Sequence, residues 1–267
     1  MVITHSVHGL HPLDIRFRGR YYGFVGVAML FVFRGRASQT ALGALQAFAG
    51  GILAYIALKI GAEVAEYVER LAKWETFGLF LRDAVLTTAV FAGVFLLLSW
   101  VERRATARGM PQSLLTAFIV ALAYGVHNVG EGFAIAGPLL SGTVANALLF
   151  TVGFAVHNAT EGFGIAAPLL GDRRARVDLK MLVGVSILAG LPVMPGSAVY
   201  YLGIYSETFL AVLGTAAEAS LVYALLHVNL SVMSKLGGVS SPRFWLAVTA
   251  GMDAALATES ALLLSGL

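Results

Sequence analysis

Long apolar runs separated by short charged clusters dominate the chain. The runs lie at 40–62, 84–101, 113–140, 143–170, 179–203, 208–234 and 244–266. A helix that crosses a bilayer needs roughly 20 mostly apolar residues, so each run is read as a membrane span. One more run, Tyr21 to Phe33, is bounded by Arg20 and Arg34. At ~1.5 Å per residue it is short for a full crossing. It is read as a truncated first helix or as an interfacial segment. The expected fold class is therefore an all-α integral membrane bundle of eight helices, or seven if Tyr21–Phe33 does not span. Residues 1–20 are expected to form an N-terminal tail, and 21–267 a single transmembrane domain.

Composition supports the pattern. The chain is 58% hydrophobic and 12% charged, where soluble domains run near ~45–50% and ~25%. That surface suits lipid. Basic residues fall in alternate connections: Arg34 and Arg36; Arg103, Arg104 and Arg108; Arg173, Arg174, Arg176 and Lys180; Lys235 and Arg243. These connections belong on one side, the cytoplasm. A cell-membrane, multi-pass protein is expected, with both termini outside if Tyr21–Phe33 spans. The net charge of +3 is small and dispersed, which argues against a nucleic-acid partner. No cleavable signal peptide is visible at the N-terminus. There is no cysteine, so thiolate metal sites and disulfides are excluded.

An internal repeat carries the candidate chemistry. The seventeen residues from Tyr124 to Leu140 align without gaps to those from Phe154 to Leu170, with eleven identities. Both copies contain His-Asn-x-x-Glu-Gly: His127, Asn128, Glu131, Gly132 and His157, Asn158, Glu161, Gly162. Residues four apart share a helix face, and an adjacent residue lies about 100° round. Each trio therefore projects into one arc, near the middle of its span. The short connection makes the two helices antiparallel neighbours around an approximate twofold axis, as in many secondary transporters. A carboxylate at the bilayer centre costs ~2.5–3.5 kcal/mol or more. A bound divalent cation offsets that cost, because imidazole, carboxylate and amide oxygen suit zinc, ferrous iron or manganese. The alternative is a polar clamp between helices, with both glutamates protonated. Gly132 with Ala136, and Gly162 with Ala166, read as small-residue packing pairs. Pro138 and Pro168 are expected to bend or end their helices.

The paired motifs resemble the fourth and fifth helices of the ZIP (zinc/iron permease) transporters, of which the chain looks like a divergent, prokaryotic-like member. The wider layout is similar over residues 20–267. It includes a Gly-rich run at Gly50-Gly51, a Trp-Val-Glu-Arg-Arg end at 100–104, and a run beginning Gly214-Thr-Ala-Ala-Glu218. The resemblance implies an eight-helix bundle with its metal site between helices four and five. It also implies alternating-access uptake of zinc, or of iron or manganese, toward the cytoplasm. The ligands it implies are His127, Asn128, Glu131, His157, Asn158 and Glu161. The family motif has Pro before Glu, where this chain has Gly130 and Thr160. Met194 stands where the family often has a Glu before a Pro, and the His-rich loop after the third helix is absent. Glu218 is proposed to replace the carboxylate missing at Met194, which completes the expected metal set.

Other polar residues are read more plainly. Lys59 is expected to pair with Glu63 or reach the membrane edge. His227 and Asn229 are candidates for an exit ligand or for interfacial residues, and Asp253 for a pathway lining. His5, His8 and His11 form a weak cluster in the tail. An intramembrane metallohydrolase would need a His-Glu-x-x-His helix, and none occurs, so no enzymatic activity is expected. A transport-incompetent metal receptor or subunit is the main alternative. No prosthetic group is expected. The partners are the cation and the bilayer, with a homodimer left open.

Overall fold

The computed structural model describes residues 38–140, 179–203 and 206–264. Within the fifth apolar run it describes Asn158, Gly162, Gly164, Ile165, Ala166, Pro168 and Leu169, all helical. Tyr21–Phe33, the N-terminal histidines, His157 and Glu161 lie outside the described residues. Among the described residues every regular element is a helix. We number them α1 (Gln39–Arg70), α2 (Phe77–Ala107), α3 (Gln112–Leu140), α4 (Leu179–Gly190), α5 (Val193–Tyr201), α6 (Glu207–Met233) and α7 (Pro242–Leu264). Five stretches among them are long and apolar enough to cross a bilayer: Gln39–Arg70, Trp74–Ala107, Gln112–Phe133, Lys180–Tyr201 and Glu207–Leu236. The chain is an all-helical membrane protein.

Local chemistry sets the helix ends. Ser38 and Ser206 cap α1 and α6: their hydroxyls accept from the amides of Ala41 and Phe209, each at 3.1 Å. Each cap satisfies one of the amide donors that a helix start leaves open. After α6 the chain turns through Gly237 and Gly238, at φ +100° and +90°. Only glycine adopts that region without strain. The run at 179–203 is not one continuous helix. It breaks at Leu191–Pro192 into α4 and α5, because Pro192 has no amide proton and its ring crowds the carbonyl one turn back.

α3 is the axial element. Leu115, Ala117, Ile119, Val120, Ala121, Ala123 and Tyr124 are all essentially inaccessible. Burial covers most of the helix, and Leu114, Phe118, Leu122 and Val126, four apart, form a partly exposed apolar stripe on one face. α6 packs on one side of α3, and α4 and α5 on another; α1 packs on α6 and α7. The main apolar core joins Leu53 and Ile56 of α1, Val120 and Tyr124 of α3, Leu169, Val185 of α4, and Leu221 and Val228 of α6. α2 is peripheral: only 11% of its most apolar window is buried, and Leu96, Leu97 and Trp100 face outward. That face is apolar because lipid covers it.

Small residues allow the helices to approach. A Cβ on Gly51 would collide with the Val248 carbonyl, and one on Gly251 with the Phe48 carbonyl, so α1 and α7 cross backbone to backbone. The turn after α6 brings Leu236 and Lys235 against Gly43, near the start of α1. Tyr67, Asp83 and Thr208 meet at the opposite end of the bundle. Lys235 thus lies at the same end as the start of α1, as the alternation of basic loops requires.

Candidate metal centre

The first motif lies in the buried middle of α3. His127 is 5% exposed, Asn128 2% and Glu131 3%. One helical turn brings His127 and Glu131 together, with Nε2 3.4 Å from Oε1. From the second motif, Asn158 donates through Nδ2 to Glu131 Oε2 at 3.2 Å. Further along that segment, Gly164 lies against the Tyr124 hydroxyl. Sequence number rises along one element as it falls along the other, 158 to 164 against 131 to 124. The two motif segments therefore run antiparallel, as their short connection predicts.

The amide orientations define the site's polarity. Asn128 donates through Nδ2 to the backbone carbonyl of Ala189 at 2.9 Å. Asn158 spends its Nδ2 on Glu131. Among the described residues no donor reaches Asn128 Oδ1 or Asn158 Oδ1, and both atoms are buried. Buried amide oxygens normally find a donor, and leaving one without a partner costs ~1–3 kcal/mol. These two acceptors belong to residues that neighbour the Glu131 carboxylate and the His127 imidazole, an oxygen- and nitrogen-rich set.

Glycines hold this set against α5. A Cβ on Gly132 would strike the Val193 carbonyl, and one on Gly196 the Val129 carbonyl. The hydroxyl of Ser197 donates to the Gly132 carbonyl at 2.8 Å. The glycine that ends the first motif is thus a packing residue, as its small-residue spacing suggests. Its partner is the backbone of the broken helix. On the other flank, Ser220 of α6 donates to the Ala123 carbonyl at 3.0 Å.

Glu218 lies on a different face. Two residues before Ser220, it is rotated about 200° from the α3 contact, and its carboxylate rests against Gly61 of α1. Asn158 is the described residue that brings the second motif to the first. Among the described residues no three His, Asp or Glu side chains converge, and His157 and Glu161 are not in that set. Met194 is exposed.

Three further polar groups lie away from this set. Lys59 reaches Glu63 at 3.9 Å, as its spacing suggests, but its closer partner is Glu259 of α7 at 2.5 Å. Tyr55 also donates to Glu259. No local spacing announces a pair 200 residues apart. His227 of α6 lies 3.1 Å from Glu102 of α2, and Tyr223 donates to the same carboxylate oxygen at 2.5 Å. Asp83 accepts from Arg82, Tyr67 and Thr208. Asp253 is exposed on α7. Compared with protein-family models and with curated proteins, the chain matches none.

Proposed function

We propose that this protein carries a divalent transition-metal cation, zinc first, with iron or manganese as alternatives, across the membrane. The proposed site takes His127, Asn128 and Glu131 from α3, with His157, Asn158 and Glu161 from the second motif. Glu218 is left out, because its carboxylate rests against α1. One observation carries the reading. Both described motif asparagines spend amide protons on protein acceptors, and among the described residues no donor reaches their buried oxygens. A polar helix clamp would do the reverse and match each acceptor to a donor. A cation with nitrogen and oxygen ligands satisfies these acceptors together.

Transport would follow alternating access around a midplane site, with release toward the cytoplasm. Ligands bind metal in their deprotonated forms, so uptake should weaken at acid pH. The resemblance to the ZIP transporters noted from the sequence points the same way. A second reading, a metal-holding receptor or subunit that does not transport, draws on Gly130, Thr160 and Met194, where the chain departs from that family's pattern.

The test is uptake into proteoliposomes loaded with a zinc-sensitive dye. Wild type should show saturable uptake, and the Glu131→Ala, Glu161→Ala double variant should show none while remaining folded. Zinc binding without uptake would favour the receptor. Equal leakage of wild type and variant, or no binding of zinc, iron or manganese, would return the motifs to a structural clamp.

A further inference from the structure

The break between α4 and α5 lies beside the motif, and one of its carbonyls is bonded to a proposed ligand. In an unbroken helix the Ala189 carbonyl would accept from the amide of Val193, four residues on. Here α4 ends at Gly190 and α5 starts at Val193. The next amide, that of Met194, bonds to the Leu191 carbonyl at 3.0 Å and not to Gly190, four residues back. Ala189 is buried at 8% exposure, so water is no ready substitute. A helix end buried in this way needs an outside donor. Asn128 Nδ2 supplies it at 2.9 Å.

That bond has a consequence for the other end of the same amide. A carboxamide has donors on its nitrogen and acceptors on its oxygen. The flipped rotamer would set Oδ1 against the Ala189 carbonyl, acceptor against acceptor. The break therefore selects the orientation in which Nδ2 faces α4 and Oδ1 faces away, where no described donor meets it. The geometry is held on both sides of the break. A Cβ on Gly125 would lie 2.6 Å from the Leu188 carbonyl, and Gly132 and Gly196 interlock with Val193 and Val129. The Ala189 carbonyl thus has little room to drift away from Asn128.

We propose that Pro192 is a positioning residue: by interrupting the helix it frees the Ala189 carbonyl to orient Asn128 as an oxygen ligand for the cation. This rests on the reading of the motif as a cation site and deepens it. Pro192 itself touches no cation. It acts through one hydrogen bond, and its effect should vanish when that bond's donor is gone.

The experiment is a double-mutant cycle on the full chain in detergent, with Zn2+ Kd read by titration calorimetry. Pro192→Ala removes the ring and returns the amide proton that Leu188 would accept, so that the helix can continue and the Val193 amide can close over Ala189. In the wild-type background it should weaken Zn2+ binding about tenfold, the scale of one buried hydrogen bond. In the Asn128→Ala background it should change Kd by less than about twofold. Equal losses in both backgrounds, or no loss in the wild-type background, would overturn the proposal while leaving the cation site standing. Absence of Zn2+ binding by wild type would instead sink the cation reading, and this inference with it. A second variant covers a Pro192→Ala protein that fails to fold. Asn128→Asp keeps an oxygen ligand and adds a charge but has no proton for Ala189 at neutral pH. It should bind Zn2+ no tighter than wild type. A gain of tenfold or more would show that the Ala189 contact does not matter.

Discussion

Asp83 and Glu131 are both carboxylates with almost no solvent exposure, 1% and 3%, yet their surroundings differ in kind. Asp83 sits where α1, α2 and α6 meet. Its Oδ1 accepts from Arg82 at 2.6 Å, and its Oδ2 from the hydroxyls of Tyr67 at 2.6 Å and Thr208 at 3.0 Å. Arg82 also donates to Thr208 at 2.8 Å. Donors from three helices saturate one acceptor, and such a network rigidifies what it joins. Glu131 has longer contacts, 3.4 Å to His127 and 3.2 Å to Asn158. Its neighbours Asn128 and Asn158 present acceptors of their own. A buried acid surrounded by donors is a staple. One that lies among amide oxygens with no described donor suits the proposed cation. Exposure alone does not separate the two.

The comparison can be broken most directly at Glu131. Glu131→Ala should weaken Zn2+ binding by at least ~100-fold, since losing even an outer partner of a metal ligand costs 10–100-fold. Its melting temperature without metal should stay level or rise, because binding groups are often kept at a cost in stability. A large fall in melting temperature with Zn2+ affinity intact would make Glu131 a second staple. Asp83→Ala should do the reverse. It strips the Tyr67 and Thr208 hydroxyls of their acceptor and should lower stability by about 2 kcal/mol, measured by denaturant unfolding in micelles. Arg82 is more than half exposed and resolvates, so its share is small. Zn2+ affinity should not move.

Gly132→Ala tests how closely the site depends on the broken helix. The new methyl group meets the Val193 carbonyl, and relieving such overpacking costs ~1–3 kcal/mol. The displacement falls next to Glu131, so Zn2+ affinity should drop together with thermal stability. Glu218→Gln should have the smallest effect, less than about threefold on Zn2+ Kd, because its carboxylate rests on α1. A tenfold loss would place Glu218 back in the ligand set that sequence reasoning drew.

Much of the fold was legible because bilayer chemistry is one-dimensional. Apolar runs of sufficient length announce helices with little ambiguity, and the starts of α1, α3 and α6 fall within a few residues of the runs. The duplicated His-Asn-x-x-Glu-Gly was legible for a related reason. Helical spacing puts His127 and Glu131 together without help from any other element. The span expected over 179–203 is present as Lys180–Tyr201, but its division at Pro192 into α4 and α5 is not visible to hydropathy, which does not register a missing amide proton. Glu218 drew attention as a carboxylate in a membrane helix, but which neighbour it faced depended on the packing of α6.

The sequence by itself determined the membrane class, the positions of five described spans and the one-turn pairing within the first motif. These follow from composition, length and a period of 3.6 residues, which are local properties. Only the tertiary structure decided which partners each carboxylate meets. It joined Lys59 to Glu259, Glu102 to His227 and Tyr67 to Asp83, and it set the Ala189 carbonyl against Asn128. Those pairings depend on how helices far apart in sequence rotate and approach. The glycines that permit the approach are visible in the sequence, but the carbonyls they admit are not.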